Sequence, residues 1–229
     1  MKLSIIIPVY NEVETVKEVI KKIQFLQLPV DKEIIVIDDG SNDGTADVVK
    51  KLGESNIKIL LFNRNRGKGA AVREGYSQAS GDIIMIQDAD LELDPEEIID
   101  LLIPILEENK NVVYGNRFHK GNKNKGSLLF YLGNKFLVLI TNMLFWGGIS
   151  DMETCYKMLK RKVLEKLELK SNRFDIEPEI TAKILKNGFK IYDVPISYNP
   201  RKNAKGKKIN WKDGFFALWV LIKIRLGLY

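Results

Sequence analysis

From residue 3 to residue 115, short apolar runs alternate with segments of helical spacing, and no other feature restricts the fold so strongly. Residues 3–9 read as a buried strand, and within residues 14–25 Val16, Val19, Ile20 and Ile23 recur at the helical period. Residues 33–37 read as a second strand, followed by DDGSNDGT, where Asp43 or Thr45 caps a helix over 46–52. A third strand over 57–62, a third helix over 68–79 and a fourth strand over 82–87 come next. Asp94-Pro95-Glu96-Glu97 then opens a helix reaching residue 108, with Asp94 as its cap and Pro95 in the first helical position. Residues 112–115 form a fifth short strand. Such repetition predicts an α/β domain with a mostly parallel, Rossmann-like central sheet flanked by helices. Sheets of this kind bind ligands outside the carboxyl ends of their strands. DDGS, NRNRGKG and QDAD all fall at such ends.

After residue 118 the texture changes. HKGNKNKGS is a basic loop, and residues 128–149, LLFYLGNKFLVLITNMLFWGGI, are apolar on nearly every side. Residues 151–167 read as helical or mixed, 177–186 as a helix, and 192–198 as an edge strand interrupted by Pro195. A second basic loop, PRKNAKGKK, precedes the final segment FFALWVLIKIRLGLY. The chain shows no internal repeat and no linker rich in Gly, Ser or Pro. The expected division is one domain over 1–211 and an amphipathic tail helix over 212–229.

Composition narrows the function classes. At 229 residues, 45% hydrophobic and 29% charged, the chain suits a globular α/β domain of generous size. A net charge of +6 favours phosphate-bearing partners or an anionic membrane surface. Cys155 is the single cysteine, so an internal disulfide is excluded, and with His119 the single histidine a Cys/His zinc site is disfavoured. The run MKLSIIIPVYNE is too short for a signal peptide, and the expected address is cytoplasmic. No nucleic-acid-binding motif is present, so a nucleic-acid partner is not expected.

The chemistry concentrates in three stretches. In DDGSNDGT, Asp38 and Asp39 end the second strand, where they serve either as an Asx-type turn or as acceptors for a nucleoside. In NRNRGKGAAVREG, Arg64, Arg66, Lys68 and Arg73 surround a strand-to-helix turn, which is either a solvated helix start or an anion site. The P-loop spacing is absent. In QDADLELD, four acids sit on alternate positions after the apolar run 83–86. Asp94 is accounted for as a helix cap. Asp88 and Asp90 repel each other at the ligand edge of the sheet unless a cation such as Mg²⁺ or Mn²⁺ offsets their charge.

SIIIPVYNE, DDGSNDGT, GKGAAVREG and QDADLE, in this order and spacing, resemble the family 2 nucleotide-sugar glycosyltransferases of GT-A fold. The likeness is greatest to the dolichyl-phosphate mannose synthases and related polyprenyl-phosphate glycosyltransferases. It continues through YGNRF, ISDMETCYKML, NRFDIEPEI and VPISYNPRKNAKGKKINWKDG, nearly the whole chain. The resemblance implies transfer of a sugar, mannose or a glucose-like hexose, from GDP or UDP to a long isoprenoid phosphate. It implies a nucleotide-sugar pocket of Pro8, Tyr10, Glu12, Asp39, Lys68 and Asp88, completed by Lys207 and Lys208. It also implies metal ligands at Asp88, Asp90 and Glu92, although many relatives carry glutamine at the third place. Arg117 and Arg201 match positions that contact the phosphates of acceptor and donor, and Lys135 joins Arg117 at the acceptor. Asp90, Arg117, Arg201 and Asp151 are the expected catalytic group.

Two alternatives concern the acceptor and the membrane. A sugar hydroxyl needs a general base, for which Asp151 is the candidate, whereas a lipid phosphate arrives largely ionised near neutral pH. A protein that binds nucleotide-sugars without turnover is a third reading, against which the intact acidic stretch argues. Residues 128–149 have the length of a membrane span, but Lys135 lies inside them and Arg117 and Asp151 flank them. The expectation is two short helices, broken near Asn142, lying in the membrane interface, and the alternative is a buried element of the hydrophobic core. The segment 215–229 reads as an interfacial helix with snorkelling cations. Together these predict a peripheral protein on the cytoplasmic face of a membrane.

Overall fold

In the computed structural model, which describes residues 1–53, 57–119, 121–122, 126–201 and 211–229, the expected alternation becomes a seven-stranded sheet. Its strands are β1 (Lys2–Val9), β2 (Asp31–Asp38), β3 (Ile57–Leu61), β4 (Ile83–Ile86), β5 (Val112–Asn116), β6 (Lys157–Lys160) and β7 (Tyr192–Pro195). Their order across the sheet is β3-β2-β1-β4-β6-β5-β7. β1 pairs in parallel with β2 and β4, and β2 with β3. Residues 5–7, 34–37 and 83–86 are fully buried, as in parallel strands covered on both faces. The helices that cover them are α1 (Val16–Phe25), α2 (Thr45–Lys51), α3 (Lys68–Gln78) and α4 (Ile98–Leu106).

α1 buries Val16, Val19, Ile20 and Ile23, the four residues whose spacing marked it as a helix. Asp94 accepts a hydrogen bond from the Glu96 N–H at 3.2 Å as predicted. The cap opens a 3₁₀ turn over Pro95–Glu97 before α4 begins at Ile98. β6 was not foreseen: it runs antiparallel to both β4 and β5, within a stretch expected to be helical or mixed. KMLK is too short to show a strand period, and only its neighbours in the sheet define it. The short α6 (Arg161–Leu164) follows it, then α7 (Ile176–Lys186). β7 lies at the sheet edge as predicted, and Pro195, its last residue, pairs with Asn116.

The hydrophobic stretch departs from expectation. Residues 128–145 form one helix, α5 (Leu128–Phe145), with no break at Asn142. The Asn142 side chain instead accepts from the Ile149 N–H at 3.1 Å and donates to the Ile149 carbonyl at 3.0 Å, which closes the turn beyond the helix. The helix stops at Trp146, whose φ of 48° is left-handed. α5 is long and apolar enough to cross a membrane by length and composition, and 22% of it is buried in the fold. With α8 (Trp211–Leu226) and α7 it builds a second apolar cluster around Leu137, Val138, Met152, Val220, Leu221 and Ile224.

Candidate active site

The carboxyl ends of β1, β2 and β4 and the β3–α3 loop gather most of the residues that the motifs single out. The Glu12 carboxylate, just past β1, accepts from Arg201 Nη2 at 2.6 Å and from Thr15 Oγ1 at 3.1 Å. Arg201 also lies 3.4 Å from an Asp90 oxygen, and its backbone N–H donates to Glu92 at 3.1 Å. Glu12, Asp90, Glu92 and Arg201 therefore form one group, although Glu12 and Arg201 are 189 residues apart. Burial, then repulsion from Asp88 and Glu92, pushes the Asp90 carboxyl up to about 7, and Arg201 offsets only part of this.

Lys68, the first residue of α3, reaches Asp88 at 2.8 Å and Glu177 at 2.9 Å. Burial opposes its charge, but Asp88 and Glu177 together hold its pKa above the ordinary lysine value. Burial likewise works against Asp88 ionising, and Lys68 outweighs it, so the Asp88 carboxyl sits below the usual range.

Asp39 has a role that the motif did not reveal. Its carboxylate accepts from the Arg66 N–H at 2.7 Å, the Gly67 N–H at 2.8 Å and the Asn65 side chain at 3.0 Å. The donors expected to meet a ligand anion at the start of α3 thus meet an internal one. A buried carboxylate needs such donors, and even so burial leaves its pKa raised. Gly67 turns this loop at φ 98°, and a Cβ there would lie 2.3 Å from the Asn172 carbonyl. Asp38 is used locally, accepting from the Ser41 N–H at 2.9 Å.

Across the edge, Arg117 donates through Nε and Nη2 to the two oxygens of Asp151 at 2.8 and 2.9 Å. Asn134 of α5 donates to the same carboxylate at 3.1 Å, as does the Arg117 backbone at 3.2 Å. Asp151 is fully buried, and both of its oxygens are engaged. That is the setting of a counter-ion that fixes a guanidinium, and it does not suit a base that must reach a sugar hydroxyl. Lys135 points to the Ser150 carbonyl at 3.4 Å. Pro8 lies within β1, and Tyr10 follows it. Lys207 and Lys208 lie outside the described residues.

The donor set at the end of β4 suits a hard divalent cation. Asp88, Asp90 and Glu92 offer oxygen alone, and the raised Asp90 pKa is the mark of acids that lack enough positive charge. Among the described residues no three acids already enclose an ion. Asp88 is turned to Lys68 and Glu92 to the Arg201 backbone, so an ion would draw both away from those partners.

The motifs did not single out Glu177, Lys157 or Asn134. Glu177 carried a signal: it shares a helical face with Ile180 and Ile184, at spacings of three and seven. An acid on an apolar stripe needs a partner. Here it has Lys68 on one oxygen and the fully buried Lys157 on the other.

The sequence profile described as Glycosyl transferase family 2 matches residues 4–168. The chain is 31% identical over 212 residues to a dolichol-phosphate mannosyltransferase of Pyrococcus furiosus, a match covering 90% of this chain and 59% of that protein. It is 41% identical over 171 residues to an undecaprenyl-phosphate 4-deoxy-4-formamido-L-arabinose transferase of Yersinia enterocolitica, covering 72% of this chain and 50% of that one. This chain thus spans between half and three-fifths of the length of these curated relatives. In structure it superimposes on glucosyl-3-phosphoglycerate synthase from Mycobacterium tuberculosis, crystallised with Mn²⁺, uridine diphosphate and phosphoglyceric acid. The TM-score is 0.75 at 19% identity, over 100% of this chain and 79% of that one. At that identity the likeness speaks for the shared α/β fold, the GT-A type expected from the motifs. The profile match extends over more than two-thirds of the sequence, and the chain belongs to glycosyl transferase family 2.

Proposed function

We propose that this protein is an inverting, metal-dependent glycosyltransferase that moves a hexose from a GDP- or UDP-sugar to a polyprenyl phosphate. The observation that carries the reading is one sheet edge with three cations set among acids in two groups. Lys68 and Arg201 face Asp88 and Asp90 on one side, and Arg117, clamped by Asp151, stands on the other. The names of the two curated relatives, both transferases acting on a polyprenyl-type phosphate, support the acceptor class.

On this reading Pro8, Tyr10 and Glu12 line the nucleoside end, and Asp39 shapes it by holding the loop of residues 65–67. Asp88 and Asp90, with Glu92 as third ligand, would hold Mg²⁺ or Mn²⁺, which would supply Lewis-acid stabilisation of the leaving diphosphate. Arg201 adds charge beside the same diphosphate, joined by Lys207 and Lys208. Arg117, with Lys135, orients the acceptor phosphate, which is already a nucleophile and needs no base. Asp151 holds the Arg117 guanidinium in place. A glycan hydroxyl acceptor would need Asp151 to give up that role.

The exposed face of α5 supports a membrane-bound acceptor. This helix buries Asn134 and Thr141 beside Leu137 and Val138, yet leaves Leu132, Phe136, Leu139 and Met143 exposed, a poor arrangement for a protein surrounded by water. On α8 and beside it, Lys223 lies over the Trp219 ring at 5.0 Å and Arg225 over Trp146 at 5.7 Å. Aromatic rings paired with cations suit the headgroup layer of an anionic membrane. We assign the protein to peripheral contact with the cytoplasmic face.

The test is incorporation of label from a panel of GDP- and UDP-sugars, with Mg²⁺ or Mn²⁺, into a polyprenyl phosphate or a glycan. Label in the lipid fraction, abolished by chelation, is expected. Label in glycan alone would overturn the acceptor class, and protein that stays soluble beside anionic liposomes would overturn the membrane contact.

A further inference from the structure

Beneath the site runs a buried chain of charge, with Glu177, to which the sequence assigned no role, at its centre. One of its oxygens meets Lys68 at 2.9 Å, and Lys68 in turn meets Asp88 at 2.8 Å. Its other oxygen accepts from Lys157, which also donates to the Met152 carbonyl at 2.9 Å and to the Thr154 carbonyl. Met152 adjoins Asp151, the counter-ion of Arg117, and the Asn134 side chain that bonds Asp151 also accepts from the Met152 N–H at 3.3 Å. Lys157 is fully buried and Glu177 is 3% exposed. Removing two such charges from water is costly, so pairing alone is a weak reason for them to be there. A role in geometry accounts for them better, since one carboxylate is attached to both halves of the site.

We infer that Glu177 is a positioning residue that sets Lys68 for the donor diphosphate and, through Lys157, the turn of residues 151–154 for the acceptor. This rests on the donor and acceptor assignments proposed above. A single carboxylate in this place fixes the distance between the two substrates' cations, which a displacement in line requires. Lys157 carries the acceptor arm and Lys68 the donor arm, so the arms can be cut separately.

Equilibrium binding of UDP and of GDP with Mn²⁺, together with thermal unfolding without ligand, tests the inference on Glu177→Gln, Lys157→Met and the double variant. Glu177→Gln strands Lys157 and is expected to lower the midpoint and weaken nucleotide binding about tenfold. The double variant removes both buried charges, so it is expected to recover most of the midpoint and none of the nucleotide affinity. Recovery of both would reduce Glu177 to a partner for Lys157 and overturn the inference. A thermal cycle between Lys68→Met and Glu177→Gln reads the donor arm with no nucleotide present, and strict additivity there would overturn it as well. Wild-type protein that bound neither nucleotide, with the cycle still non-additive, would reject the donor assignment while leaving the positioning of Lys68 standing.

Discussion

The sheet half of the molecule and its α5–α8 flank solve burial in opposite ways. α4 turns Ile98, Leu101, Leu102 and Ile105 into the core and leaves its one polar side chain, Asp100, exposed beside Ile103. α5 is twice as long, yet it buries Asn134 and Thr141 along with Leu137 and Val138 and leaves a row of large apolar side chains outside. In the sheet half, charge near the core is matched partner by partner, as Lys68, Asp88, Glu177 and Lys157 demonstrate. On the flank Leu132, Phe136, Leu139 and Met143 stand exposed among the described residues. The contrast fits the proposal that the two halves face different media. On that proposal, the edge between them is where a water-soluble donor and a lipid-borne acceptor would meet.

The largest test of this contrast strikes the acidic cluster. Asp90→Asn is expected to cut sugar transfer by at least about 10²-fold. The same change relieves repulsion among Asp88, Asp90 and Glu92, and should raise the thermal midpoint of metal-free protein by about 2–4 °C. A fall in both activity and metal-free midpoint would mean that the acids are structural. A second test divides the flank itself. Leu221→Ala, at a fully buried position of α8, is expected to cost about 3 kcal/mol in denaturant unfolding. Leu139→Ala, 56% exposed on α5, should fall within about 0.5 kcal/mol. Equal costs would show that α5 is covered on all sides and erase the distinction between the halves.

The smallest effect belongs to the far edge of the sheet, away from the site. Burial there opposes ionisation of Glu33, but Lys2, Ser4 and Ser80 outweigh it and bring its carboxyl down to about 2. A carboxyl held lower in the folded state than in the unfolded chain stabilises the fold above the unfolded value, near 4.5, and that stability disappears as pH falls toward 2. After allowance for solvent screening the contribution is about 1 kcal/mol. Unfolding measured from pH 6 to pH 2.5 should show that much more acid sensitivity in wild type than in Glu33→Gln. Parallel pH curves would reject the assignment.

What the sequence revealed follows from the range of the interaction behind each feature. Helix periodicity and the Asp94 cap involve neighbours within a few residues, so α1 and the turn at 95–97 were readable. The acidic motif was readable because its carboxylates repel locally. Asp39 was placed at the right edge, but its partners are 26 to 28 residues away, and its use in holding the β3–α3 loop could not be seen. β6 is four residues long and is defined by β4 and β5. The continuity of α5 was obscured by Asn142, a residue that is unfavourable in isolated helices. Here its amide is consumed by Ile149. The pairing of Glu177 with Lys68 spans more than a hundred residues, beyond the reach of any local pattern.

One consequence of the reversed strand β6 concerns how such a protein can change over generations. β5 leaves the sheet at the ligand edge, and because β6 runs the other way, the chain re-enters at that same edge. The described residues between β5 and β6, α5 included, hang from the sheet as one excursion whose two ends are side by side. An excursion of that kind can lengthen, shorten or exchange its exposed apolar face without moving a strand, provided the turn of residues 151–154 keeps its link through Lys157 and Glu177 to Lys68 and Asp88. On the assignments proposed above, the acceptor side could then diversify more readily than the donor side.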